Sequence, residues 1–196
     1  MRYVIGIDGG TESLRAHVFD LHGNSAGSAK GDYATAFPAP GRAEQHPRDW
    51  WRALGEAVRG AVTAAGIIAR DVAALALDTT SATVVVTDAA GDPMRAAILW
   101  MDVRADAEAA AVLHTHDDAL RVNGAGTGPV SPEWMIPKAL WVKRHERALY
   151  DRCTTICEYQ DYMLRRLTGR NVGSLSNVAI RWHYRTREGG WPRTLL

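Results

Sequence analysis

Apolar residues come in short runs broken by turn residues from the N-terminus onward. Arg2 to Ile7 is an apolar run ending at Asp8, Gly9-Gly10-Thr11 turns the chain, and Ser13 to Phe19 is a second run rich in β-branched and aromatic residues. Asp20-Leu21-His22-Gly23-Asn24 closes that run, and Ser25 to Tyr33 follows as a third. Three strands separated only by turn signals predict an antiparallel meander. The glycine loop therefore sits in a hairpin. Walker-type and dinucleotide-binding loops need a helix N-terminus directly after the glycines, so this loop is of another kind.

The pattern then repeats. Ala73 to Leu77 runs into Asp78, Thr79-Thr80-Ser81-Ala82 follows, and strands are expected at Thr83 to Thr87 and Ala96 to Trp100, with a turn at Asp88 to Pro93 between them. Two copies fall short of a repeat array, so both are expected to belong to one mixed sheet. Between them Pro47 suits a first helical turn, and Trp50, Leu54, Ala57, Ala61 and Ala65 fall at helical spacing. Further helices are expected at Ala105 to Leu113, at Trp134 to Arg144 with Pro137 in the first turn, and at Glu158 to Leu167, where Gly169 supplies a left-handed cap. Asn123 to Gly128 reads as a glycine-rich loop, and no element is assigned from Asn171 to Tyr184.

Composition narrows the class. The 196 residues are 46% hydrophobic and 23% charged with 18 Gly, 8 Pro and 2 Cys, which excludes a disordered chain, a collagen-like repeat and a disulfide scaffold. A net charge of +1 offers no footprint for nucleic acid, so no nucleic-acid partner is expected. No apolar run approaches the roughly 18 residues of a membrane span. The opening MRYVIGID is not a signal-peptide core, and a cytoplasmic α/β protein is expected. Cys153 and Cys157, four apart, could share a helix face; without a nearby His pair they read as buried reduced thiols rather than zinc ligands. No Gly-x-Ser-x-Gly elbow supports a hydrolase.

Candidate chemistry begins at Asp8-Gly9-Gly10-Thr11-Glu12-Ser13 with Arg15. A strand-end carboxylate can hold Mg²⁺ through water, because that ion keeps part of its hydration shell. Two glycines let backbone N–H groups approach phosphate oxygens, and Thr11 and Ser13 add hydroxyls. The same residues also make an ordinary polar hairpin turn, with Thr and Ser bonding their own backbone.

Three later stretches add to this loop, and together the four resemble the N-terminal half of the sugar kinases named for their FGGY signature, which include glycerol, gluconate, xylulose and ribulose kinases. They are Ile5 to Arg15; Ala43-Glu44-Gln45-His46-Pro47-Arg48-Asp49-Trp50-Trp51, similar to Glu-Gln-x-Pro-x-x-Trp-Trp; Ala97 to Arg104, similar to Leu-Trp-x-Asp-x-Arg; and Leu164 to Gly169, similar to Arg-Leu-Thr-Gly. They occur in family order across the whole chain. The resemblance implies an actin-like ATPase (ribonuclease H-like) domain, a mixed sheet flanked by helices, in an enzyme of two such domains with its active site in the cleft between them. Residues 1–196 are then expected to be an incomplete N-terminal domain. The C-terminal nucleotide-binding domain, with the adenosine segment and the general-base aspartate, is expected beyond Leu196.

The same resemblance implies roles, with ATP and Mg²⁺ as cofactors and a small-molecule sugar as substrate. Asp8 positions the metal near the transferred phosphoryl group, while Gly9, Gly10, Thr11, Ser13 and Arg15 line the phosphate side. Thr80, Ser81, Ala82, Trp100, Asp102 and Glu133 face the sugar. Each has a plainer alternative: a polar turn for Thr80 to Ala82, core packing for Trp100, an ion pair with Arg104 for Asp102, and a solvated first-turn acid for Glu133. Ser131-Pro132-Glu133-Trp134, followed by Lys138, resembles the ribulokinases most. Gly173 to Ala179 lacks the aspartate many relatives carry, and Thr80-Ser81-Ala82 replaces the Gln-Met-His or Gln-Arg-Glu loop of others, which disfavours glycerol and xylulose and points to a pentulose such as ribulose. A homodimer is left open. The rivals are a sugar-binding or regulatory module that keeps only this domain, and an actin-like or chaperone-like ATPase. Neither Trp100 nor Glu133 has a purpose in the latter.

Overall fold

The computed structural model describes residues 2–122, 130–187 and 189–196. The glycine-rich stretch at Asn123 to Gly128 lies outside them. The chain divides into two compact units, Met1–Thr35 with Gln45–Thr80 and Ala36–Glu44 with Ser81–Leu196.

In the first unit, β1 (Tyr3–Gly9), β2 (Ser13–Asp20) and β3 (Ser25–Asp32) form the expected meander, each antiparallel to the next. Beyond the two-residue β4 (Glu44–Gln45), α1 (Pro47–Ala64) carries the chain back to β5 (Val72–Thr79), which lies parallel to β1. The sheet is therefore mixed, in the order β3-β2-β1-β5. The helical spacing read at Trp50, Leu54, Ala57 and Ala61 is the buried face of α1. Small residues on that face let the helix lie very close to β3. A Cβ added at Gly31 would stand 2.5 Å from the Ala53 carbonyl oxygen, and one at Gly27 would stand 2.5 Å from the Ala65 nitrogen. These two glycines are required by close packing rather than by a turn.

In the second unit, β6 (Val84–Thr87) is fully buried and pairs antiparallel with β7 (Ala97–Ile98). Then follow α2 (Asp106–Leu113), α3 (Met135–His145), α4 (Arg147–Tyr150), β8 (Thr155–Glu158), α5 (Tyr159–Thr168) and α6 (Leu175–Arg181). β8 pairs antiparallel with β6, and the sheet order is β4-β7-β6-β8 with Glu44 at its edge. Val84, Val86, Ile98, Met135, Trp141 and Val142 form the core between this sheet and α3. Pro137 is the third residue of α3, where its missing N–H costs nothing, and Gly169 caps α5 at φ 71°.

Several expectations need correction. The second segment is split between two sheets: its first strand, β5, joins the mixed sheet of β1 to β3, while β6 and β7 belong to another. The reason is local: after β5 the chain turns at residues 80–83 with Ala82 at φ 61°, and β6 starts a new sheet whose partners, β7 and β8, come later in sequence. Pairing at that distance leaves no local signature, and so β8, four residues Thr-Ile-Cys-Glu, went unassigned. The seven-residue α6 was also missed, its sequence Leu-Ser-Asn-Val-Ala-Ile-Arg being too short for a period to show. Cys153 and Cys157 do not share a helix face: Cys157 lies on β8 and Cys153 in the turn before it, both as free thiols. Burial pushes the Cys157 thiol up to about 12. The strand expected at Ala96 to Trp100 shrinks to two residues, the chain turning directly after it where Asp102 N–H donates to the Leu99 carbonyl at 3.1 Å.

Candidate functional site

The first unit holds the glycine hairpin. Asp8 stands at the end of β1, directly opposite Arg15 on β2 and opposite Asp78 on β5. Paired positions on adjacent strands project to one face, so two carboxylates and a guanidinium share it. Arg15 Nη1 donates to Asp8 Oδ2 at 3.2 Å, but both side chains are more than half exposed and the pair contributes little to stability. The sequence reading passed over Asp78, whose place beside Asp8 depends on the parallel pairing.

The loop backbone is held from several sides. Gly10 N–H donates to the Ser13 carbonyl at 3.0 Å, and Tyr33 Oη donates to the Gly10 carbonyl at 2.6 Å. Thr80 N–H donates to the Gly9 carbonyl at 3.0 Å. The buried Gln45 donates its amide to the Thr11 carbonyl at 2.6 Å and to Thr35 Oγ1 at 2.7 Å, and accepts from the Trp50 indole at 2.8 Å. The loop carbonyls are thus turned into protein, a condition for presenting N–H groups to an anion. Ser13 is buried beneath the loop while Asp8 and Arg15 are exposed above it. Sequence reasoning did not single out Gln45 and Tyr33 as tethers of this loop; for Gln45 the Glu44-Gln45-His46-Pro47 stretch was the available signal.

Ser81, Ala82, Trp100, Asp102 and Glu133 lie in the second unit. Ala82 is 5% exposed and adopts φ 61°, a left-handed conformation unusual for alanine. Its N–H donates to Glu158 Oε2 at 2.8 Å, and its carbonyl accepts from Lys138 Nζ at 3.0 Å. The same ammonium donates to the carbonyls of Leu99 at 2.5 Å and Trp100 at 3.2 Å. Three protons meet three acceptors, so the lysine is satisfied although fully buried. Burial pulls Lys138 down to about 7, with Asp102, Glu133 and Glu158 pulling the other way. Burial likewise pushes Glu158 up to about 7, against the Ala82 N–H that favours its charged form. Neither residue had been assigned a role from sequence.

Trp100 leaves β7 with its indole 39% exposed, unlike the buried core tryptophan Trp50. Glu133 is half-buried in the turn before α3 and bonds within that turn, its N–H donating to Ser131 Oγ at 3.2 Å. Asp102 is fully buried, and its Oδ1 accepts from Arg104 N–H at 3.0 Å and Nε at 2.9 Å. Its Oδ2 accepts from Arg104 Nη2 and Ala43 N–H, both at 2.7 Å. Burial acts to raise the Asp102 pKa, but these donors outweigh it and hold the carboxyl below its ordinary value. Arg104 also pairs with Glu44 at 2.8 Å and lies over the Trp141 ring. The ion pair read as one alternative for Asp102 is present.

Among the described residues no three His, Cys, Asp or Glu side chains cluster to hold a metal. An exposed strand-end carboxylate still suits Mg²⁺, which takes one or two carboxylates and completes its shell with water and substrate phosphate.

Comparison with known proteins agrees with this architecture. Residues 3–196 match the FGGY family of carbohydrate kinases, N-terminal domain. The whole chain aligns with the xylulose kinase of Staphylococcus xylosus at 29% identity, covering 40% of that protein, and with the glycerol kinase of Trichlorobacter lovleyi at 32% identity, covering 41%. Among solved structures, a xyloylose kinase from Brucella ovis superposes with a TM-score of 0.88 at 27% identity over the whole chain and 40% of its own length. A xylulose kinase from Lactobacillus acidophilus, at 21% identity, shares the fold with a TM-score of 0.89 over the whole chain and 39% of its length. The fold is thus that of the actin-like ATPases, and the chain spans about two fifths of the length of the curated relatives it matches. It belongs to the FGGY family of carbohydrate kinases, whose N-terminal domain it matches from residue 3 to residue 196.

Proposed function

We propose that this chain is the N-terminal part of an ATP-dependent kinase that phosphorylates a hydroxyl of a small sugar, with a pentulose such as ribulose as the acceptor. The observation that supports it most is the hairpin at Asp8 to Ser13, whose carbonyls are tied down by Tyr33, Gln45 and Thr80 in a chain that matches a sugar-kinase family throughout. Phosphoryl transfer asks the protein mainly for positioning and charge neutralisation, and this loop is built for both. In this reading Asp8 holds the hydrated Mg²⁺, which supplies positive charge at the transferring group when bound. Gly9 and Gly10, having no side chain, let the phosphates come close to the backbone, Thr11 lines the loop, Ser13 supports it, and Arg15 adds charge at its rim. On the sugar side, the exposed Trp100 indole packs on the carbon skeleton, Ser81 and Glu133 accept from hydroxyls, and Asp102 holds the segment through Arg104. The xylulose and glycerol kinase relatives make those two acceptors the competitors of ribulose.

The test is a panel of ribulose, xylulose and glycerol with Mg-ATP, using the complete gene product and Asp8→Ala beside it. Transfer to a pentulose, lost by at least about a hundredfold in a folded Asp8→Ala, is the expected result. Retained turnover in Asp8→Ala refutes its role. Sugar binding with no ATP consumption by any acceptor supports the binding-module rival instead.

A further inference from the structure

Lys138 and Glu158 are assigned to no step of the reaction, yet both bond to the backbone of one residue of the second unit, Ala82. Both side chains are fully buried, and Glu158 Oε1 has no hydrogen-bond partner among the described residues. A buried ionisable pair with an unsatisfied oxygen is a poor way to stabilise a fold, since apolar side chains of the same volume usually do as well or better. What the pair does achieve is geometric. Glu158 holds the N–H of Ala82 and Lys138 holds its carbonyl, so both polar groups of one peptide residue are gripped. Ala82 is thereby kept at φ 61°, a conformation unfavourable for alanine that persists only where its surroundings over-determine it. The same lysine reaches the carbonyls of Leu99 and Trp100, so one ammonium joins the turn that bears Ser81 to the segment that bears Trp100. Lys138 comes from α3 and Glu158 from the end of β8, two elements separate in sequence from either segment.

We propose that Lys138 and Glu158 are positioning residues that lock the Ser81–Ala82 turn and Trp100 into one fixed sugar-facing surface, and so govern affinity for the sugar rather than for the nucleotide. This rests on the kinase reading above. Neither side chain touches the sugar; both act through the backbone they hold. The phosphate hairpin belongs to the other unit and draws on Tyr33, Gln45 and Thr80 instead, so loosening this clamp leaves its tethers in place.

The experiment compares the complete wild-type chain with Lys138→Met and Glu158→Met. It reads kcat, the KM for sugar, the KM for ATP, and amide hydrogen exchange over residues 81–84 and 99–103. We expect the sugar KM to rise roughly tenfold or more while the ATP KM stays within about twofold, because displaced contacts weaken binding of one substrate only. Exchange should quicken over residues 81–84 in both variants and over residues 99–103 in Lys138→Met. If Lys138→Met does not fold, Glu158→Met, which removes the acceptor for the Ala82 N–H at similar volume, carries the test alone. An unchanged sugar KM in a folded variant overturns the proposal, as does a matched rise in both KM values. If the wild-type chain phosphorylates no sugar, the kinase reading falls and takes the affinity role with it; unaltered exchange would then overturn the clamp as well, and faster exchange would uphold the clamp as a feature of the fold.

Discussion

Gln45→Met is the most direct test of how the hairpin at Asp8 to Ser13 is held. The substitution keeps nearly the same volume in a site that is only 4% exposed, so it leaves no large cavity. It removes the amide donor from the Thr11 carbonyl and from Thr35 Oγ1, and the acceptor from the Trp50 indole, three bonds of 2.6 to 2.8 Å. Each such bond contributes about 1 kcal/mol net, and a buried group left facing a thioether costs about 1–3 kcal/mol. A loss of roughly 3–4 kcal/mol is therefore expected, with the upper end in the range reserved for broken buried networks. Urea unfolding at fixed pH, followed by tryptophan fluorescence, measures it. The hairpin should also hold its N–H groups less rigidly, so the KM for ATP should rise more than that for sugar. A stability loss below about 1 kcal/mol would refute the idea that Gln45 anchors the loop, since three buried bonds cannot all be worth so little.

Three further outcomes follow from the same structure. Gly31→Ala puts a methyl group 2.5 Å from the Ala53 carbonyl oxygen, so α1 must shift from β3 and stability should fall by about 2–3 kcal/mol in thermal or urea unfolding; an unchanged midpoint would contradict the packing described. Trp100→Ala should raise the sugar KM with little effect on unfolding, since the indole is 39% exposed; unchanged affinity with lowered stability would return it to the core. Glu158 has a folded pKa raised from 4.5 to about 7, so the folded chain holds that proton more tightly than the unfolded chain. Its contribution is full below about pH 4.5 and lost as pH rises through about 7, a change of order 3 kcal/mol that Glu158→Gln should remove from the pH dependence of stability; parallel wild-type and variant profiles between pH 4.5 and 8 would rule this out.

The legible parts of this chain are those whose physics is local. The meander of β1, β2 and β3 follows from apolar runs separated by turn residues, and α1 from the spacing of Trp50, Leu54, Ala57 and Ala61 after Pro47. The Gly169 cap and the tolerance of Pro137 at the start of α3 are likewise set by backbone stereochemistry a few residues at a time. The hairpin of Asp8 to Ser13 was visible because its chemistry is contained in one stretch, and so was the pairing of Asp102 with Arg104, two residues apart. Tertiary structure alone decided the rest. Nothing near Val84 says that its strand pairs with Glu158, nor near Asp78 that it stands beside Asp8, because strand pairing at long range is chosen by total burial rather than by either segment. The same holds for Gln45 beneath the hairpin and for Lys138 and Glu158 around Ala82. A buried polar side chain is satisfied by whatever backbone the fold brings to it, and those partners lie 34 residues away for Gln45 and Thr11, 56 for Lys138 and Ala82, and 76 for Glu158 and Ala82.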